Sequence, residues 1–130
     1  MFKLLSTVTE QEARNVSPVT LAFVGDAVYT LYVREKLVLN HAYSTGTLQK
    51  LSSESVSAHG QNALLEKILP RLTENETAVF KRGRNAKKPT RSKSASVAEY
   101  NNSTGFEALL GYLYLTGNYS RIEELLDGEL

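Results

Sequence analysis

Between Ser17-Pro18 and Asn40-His41 runs a stretch of helical patterning whose apolar residues fall on nearly every side: Leu21, Phe23, Val24, Ala27, Val28, Leu31, Tyr32 and Val33. A helix that is apolar all round must be covered all round, so this segment predicts a central, buried helix about which the rest packs. Ser17 and Pro18 suit an N-cap followed by a first-turn proline, and the pattern lasts to about Leu39. Helical signals continue along the chain. Thr9 and Glu12 have capping-box spacing, as do Thr73 and Glu76. After a turn-like Ser44 to Thr47, patterning resumes at Leu48 and Leu51 and reaches Pro70, with a break expected at Gly60. The helix opened by Thr73 is expected to fade at Gly83. A last long helix is expected from near Thr104 to Gly117-Asn118, then a short one over Ser120 to Leu126. Strand alternation, internal repeats and a second-domain boundary are all missing from the pattern. The expectation is one all-α domain spanning 1–130.

Composition narrows the classes. Cysteine is absent, which excludes disulfides and thiolate zinc sites. No apolar run approaches the roughly 18 residues that span a bilayer, and Lys3-Leu4-Leu5 is far short of a signal peptide. A cytoplasmic protein without a membrane role is expected. The net charge of +1 hides an asymmetry. Lys81, Arg82, Arg84, Lys87, Lys88, Arg91 and Lys93 are 7 of the 15 Lys and Arg, with no acid among them, and the remainder carries 8 basic against 14 acidic residues. A basic segment on an acidic body suits a polyanionic partner. Its Lys, Arg, Ser and Pro content from Arg84 to Ser96 reads as a loop, and a solvated loop without a partner is the plainer alternative.

Two acids stand where acids are costly. Asp26 lies within Phe23-Val24-Gly25-Asp26-Ala27-Val28, in the middle of the expected central helix. A buried carboxylate there needs a basic partner, a helix N-terminus or a metal ion. Glu107 lies within Phe106-Glu107-Ala108-Leu109-Leu110-Gly111, three residues after Thr104. That is the spacing of a capping box, so spacing alone makes Glu107 a helix cap. The other reading is that Glu107 meets Asp26 across two packed helices, Gly25 and Gly111 permitting close approach. Two such carboxylates would make a hard oxygen site suited to Mg²⁺. His41 and His59 are isolated, and neither is needed.

Taken together these segments resemble the ribonuclease III catalytic domain. Leu21-Ala22-Phe23-Val24-Gly25-Asp26-Ala27-Val28 is similar to that family's signature helix, and Phe106-Glu107-Ala108-Leu109-Leu110-Gly111 to its second acidic helix. The resemblance is closest to the subfamily called Mini-ribonuclease III, on Tyr32-Val33-Arg34, Val56-Ser57-Ala58 with Gln61, Lys81-Arg82-Gly83-Arg84-Asn85-Ala86-Lys87, Tyr100 and Ser103-Thr104. It spans about residues 17 to 115.

The resemblance implies a dimeric, all-α helical bundle that cuts double-stranded RNA, using Mg²⁺ (with Mn²⁺ able to substitute), to leave 5′-phosphate and 3′-hydroxyl ends. In the subfamily the substrate is the precursor of 23S ribosomal RNA, so contact with a ribosomal protein or pre-ribosome is an added expectation. Asp26 and Glu107 match the catalytic, metal-holding carboxylates. Two further acids of the larger family fall at Ala22 and Thr104, a loss the subfamily shares. No double-stranded RNA-binding domain is expected. A basic loop at about 81–98 would take over part of its role, through Lys81, Arg82, Arg84, Asn85, Lys87, Lys88, Arg91 and Lys93, with Ser57 and Gln61 reaching RNA from the preceding helix. The rival expectation is a catalytically inactive double-stranded RNA-binding module.

Overall fold

A computed structural model describes residues 6–40, 43–88 and 96–127. Among the described residues the secondary structure is helical, with no strand. Seven α-helices follow in order: α1 (Glu10–Arg14), α2 (Pro18–Asn40), α3 (Thr45–Val56), α4 (Ala58–Ile68), α5 (Glu74–Asn85), α6 (Val97–Leu115) and α7 (Tyr119–Leu126), with a 3₁₀ turn at Leu69–Arg71 between α4 and α5. No described helix is long and apolar enough to cross a membrane.

The two long helices, α2 and α6, pack against each other over the largest interface in the molecule, and α3, α4 and α5 are arranged around them. Their crossing is set by glycine. A Cβ on Gly25 would overlap the carbonyl oxygen of Glu107, and one on Gly111 would overlap the carbonyl oxygen of Leu21. The helices therefore touch backbone to backbone. Tyr29 and Phe106 close the contact edge to face, with ring centroids 5.1 Å apart.

One face of α2, made by Leu21, Ala22, Gly25, Val28, Tyr29, Tyr32 and Val33, is buried. The opposite face is not, which corrects the expectation of burial on all sides. Phe23 is 81% exposed and Leu31 46% exposed, and Ala27 between them is exposed as well. These residues recur at one-turn spacing, so the all-round apolar pattern is the sum of an inner stripe and an outer one.

Several boundaries differ from the pattern-based expectation. Ser44 caps α3 by accepting from the Thr47 amide, so the segment that looks like a turn is already helix. The break between α3 and α4 falls at Ser57, not Gly60. Ser57 accepts from the Gly60 amide and donates to the Glu54 carbonyl. Gly60 is instead a contact residue, because a Cβ there would strike the backbone of Glu54 and Ser55. Helix α5 does not fade at Gly83 but continues to Asn85. A Cβ at Gly83 would come within 2.8 Å of the Ala108 Cβ and 2.9 Å of the Gly105 Cα, so this glycine also serves packing. The expected basic loop at about 81–98 is thus helix at both ends.

The capping boxes at Thr9/Glu12 and Thr73/Glu76 form as their spacing requires. Glu76 does more than cap. It is buried and holds Arg121 of α7 through two bonds of 2.8 Å. Arg121 also donates to the Arg71 carbonyl at 2.8 Å, which ties the 3₁₀ turn, α5 and α7 together.

Because the α2–α6 contact is backbone against backbone, no side chain can yield to an added methyl. Gly25→Ala should cost about 3 kcal/mol or more, the upper end of overpacking penalties. The measurement is urea unfolding, and the expected result is a lower midpoint with an unchanged slope.

Candidate functional site

The close crossing places Asp26, next to Gly25 on α2, against Glu107, whose own carbonyl abuts Gly25 on α6. Their carboxyl groups are within hydrogen-bonding reach of each other. The sequence motif therefore brings the two acids together, in different surroundings. Asp26 is exposed rather than buried, which corrects the expectation for that residue. Glu107 is the shielded member. Burial first, and then the neighbouring Asp26 carboxyl, push its pKa up to about 8, against a smaller opposing effect of a hydrogen bond from Gln61.

The capping reading of Glu107 fails for a structural reason. Helix α6 begins two turns earlier, at Val97, and its capping box is Ser96 with Glu99. Thr104 is buried in mid-helix and donates to the Tyr100 carbonyl at 3.0 Å. With the N-terminus capped elsewhere, Glu107 has no backbone amide to satisfy, and its side chain is free to face Asp26.

Gln61 is 2% exposed, so it does not reach RNA as expected. Its amide nitrogen donates to Glu107 Oε2 at 3.2 Å and to the Val56 carbonyl at 3.0 Å, and its amide oxygen accepts from Ser103 Oγ at 2.9 Å. Ser57, the other residue expected at RNA, is exposed with its hydroxyl engaged in capping α4. His59 is not isolated: its Nδ1 lies 2.9 Å from Glu99 Oε2. His41 lies outside the described residues.

The basic residues divide. Lys81, Arg82, Asn85 and Lys87 are exposed at the end of α5 and just beyond it. Arg84 is partly buried, bonds to Asn85 Oδ1 at 3.1 Å, and lies 5.7 Å from the Phe80 ring centre. Lys88 donates to the Arg84 carbonyl at 2.7 Å, where it serves the C-terminus of α5, and partial burial lowers its pKa. Arg91 and Lys93 lie outside the described residues. Through Gly83, this basic turn is anchored against Thr104, Gly105 and Ala108, the sequence neighbours of Glu107.

The Ribonuclease III domain family matches residues 19–118, a span that contains both acids. The chain belongs to the ribonuclease III family. A protein of Symbiobacterium thermophilum named Mini-ribonuclease 3 is 48% identical over 109 residues, covering 84% of each chain. Another of that name, from Thermoanaerobacter sp. strain X514, is 41% identical over 120 residues, 92% of this chain and 84% of that one. The fold is similar to the crystal structure of a Fusobacterium nucleatum protein, with a TM-score of 0.81 and 33% identity over 88% of this chain and 93% of the other.

This ribonuclease III domain is an endoribonuclease. Ala22 and Thr104, one turn before Asp26 and Glu107 respectively, are both buried and uncharged. Among the described residues no cluster of three or more acids or histidines is poised for a metal. The two oxygen-donor carboxylates, Asp26 and Glu107, fit a divalent cation that keeps most of its water.

A pH dependence of stability follows. Because the folded-state pKa of Glu107 is raised above its unfolded value, the fold favours the protonated form. That contribution is complete below about pH 4.5 and is lost as the pH rises through about 8. In the metal-free protein, Glu107→Gln should raise the melting temperature relative to wild type. The gain should grow between pH 6 and pH 9, as followed by circular dichroism.

Proposed function

We propose that this enzyme is a Mg²⁺-dependent endoribonuclease that cleaves double-stranded RNA to 5′-phosphate and 3′-hydroxyl ends. The observation that carries this reading is the convergence of Asp26 and Glu107 at the α2–α6 crossing. Asp26 and Glu107 would hold the cation, which when bound activates the attacking water and stabilises charge on the scissile phosphate and the departing 3′-oxygen. The roles of the two residues differ with their surroundings. Asp26 is open to solvent and to a substrate, whereas Glu107 is gripped from behind by Gln61 and offers a fixed carboxylate.

RNA backbone contact is assigned to the exposed basic turn, Lys81, Arg82, Asn85 and Lys87, with Arg84 beside it. Such contacts give affinity without reading sequence. A-form duplex RNA is recognised largely by its shape. The natural substrate in this reading is the precursor of 23S ribosomal RNA, within a pre-ribosome, as the motif resemblance implies.

The working form is a homodimer. The outer stripe of α2, with Phe23, Ala27 and Leu31, borders an apolar hollow that includes Tyr114 and lies beside Asp26. A two-fold contact through this stripe would cover the exposed Phe23 and Leu31, and would place two catalytic pairs near one duplex.

A perfect RNA duplex should be cut with Mg²⁺ and spared with EDTA. Asp26→Asn should bind the duplex with near wild-type affinity while losing at least about 100-fold in cleavage rate, the scale expected for a metal-holding carboxylate. Gel retention without cleavage by the wild-type protein under every metal condition would favour the inactive RNA-binding module instead. Phe23→Asp should convert the dimer to a folded monomer in analytical ultracentrifugation. A dimer that persists in Phe23→Asp would move the interface elsewhere.

A further inference from the structure

We propose that Gln61 is a positioning residue for the metal-holding carboxylate: it locks Glu107 in its productive orientation from a third helix and never touches RNA. This rests on the reading of Asp26 and Glu107 as the cation site.

The argument begins with the geometry of the amide. Gln61 has three partners, and two of them, the Val56 carbonyl and the Glu107 carboxylate, can only accept hydrogen bonds when Glu107 is ionised. Both of its N–H groups are thereby engaged, and its oxygen takes the Ser103 hydroxyl. Turning the amide over would set its oxygen against the Val56 carbonyl, so the orientation is determined by the main chain. The N–H aimed at Glu107 Oε2 is therefore fixed in direction before any ligand arrives.

The position of the amide is also fixed. Gln61 follows Gly60, whose close approach to the Glu54 and Ser55 backbone sets how α4 meets α3. The Ser57 cap holds the first turn of α4 in place. Ser103 and Glu107 are one turn apart on α6, so a single buried amide bridges two successive turns of the helix that carries the carboxylate. A glutamine retained only to fill space would leave a polar group to be satisfied at a cost, and an apolar side chain of the same volume would serve better. At 2% exposure the side chain has no surface to offer a nucleic acid. With only two acids in the site, the freedom of either one to swing away weakens the whole donor set, and an outer partner matters correspondingly more.

The test uses the full chain and three variants: Gln61→Met, which preserves volume, Ser103→Ala, and Glu107→Gln as control. Three quantities are measured: thermal unfolding, Mn²⁺ affinity by isothermal titration calorimetry without RNA, and steady-state cleavage of a perfect RNA duplex. In folded Gln61→Met, Mn²⁺ affinity and kcat should each fall by about 10- to 100-fold, the usual effect of removing an outer partner of a metal ligand, with KM for RNA unchanged. Ser103→Ala should move both quantities in the same direction by less, because the Val56 anchor remains. It decides the matter if Gln61→Met does not fold. A raised KM with unchanged kcat would make Gln61 an RNA contact and overturn the proposal. So would wild-type Mn²⁺ affinity and kcat in folded Gln61→Met while Glu107→Gln has lost metal binding. Undiminished Mn²⁺ affinity in Glu107→Gln would overturn the cation site itself, and the proposal with it.

Discussion

The contact on which everything else depends is the backbone-to-backbone crossing of α2 and α6 at Gly25 and Gly111. Two helices can approach this closely only where neither presents a Cβ, and both glycines meet a carbonyl of the opposite helix. The crossing fixes the axis about which α3, α4 and α5 are laid. It also fixes chemistry, since each glycine lies within four residues of a carboxylate and the contact brings Asp26 and Glu107 face to face. Packing and the acid pair share the same few residues.

That sharing has an energetic consequence. Burial first, and then the adjoining Asp26 carboxyl, resist ionisation of Glu107. Once ionised, Glu107 opposes the fold at alkaline pH. Stability is recovered elsewhere, in the backbone contacts of the crossing and in the Glu76–Arg121 pair that binds α7 to the entrance of α5. Burial alone would raise the Glu76 pKa, but the bonds from Arg121 and Thr73 outweigh it and hold the carboxyl below its usual range. Two glutamates in one small protein are thus driven in opposite directions. One is matched with a cation of the chain and the other with a second anion.

Much was legible in the residues before any coordinates. The capping boxes at Thr9/Glu12 and Thr73/Glu76 formed because such motifs are satisfied locally, within one turn. The long helix from Pro18 begins where the Ser17-Pro18 pattern placed it. Glycine misled where its role was packing: Gly60 and Gly83 look like helix breakers in sequence, yet each sits inside a helix against another backbone. Thr104 and Glu107 have genuine capping spacing, but Ser96 with Glu99 forms the cap upstream and leaves the downstream pair inside the helix. The basic run read as a loop from its Lys, Arg, Ser and Pro content, whereas the last turn of α5 continues into it as far as Asn85. Gln61 stood out as part of a motif, but its contacts with Ser103 and Glu107 could not be read locally, because those partners lie 42 and 46 positions away.

The sequence by itself determined the helical class, both ends of α2 and the end of α6 to within a turn, and the two acids that stand on those helices, because periodicity, caps and motifs act over a few residues. Only the tertiary structure decided that Asp26 is exposed while Glu107 is partly buried, that Gln61 faces the Glu107 carboxylate, and that the outer stripe of α2 stays exposed among the described residues. Burial and electrostatic environment depend on which surfaces meet across the molecule, and that information is absent from any local stretch of residues.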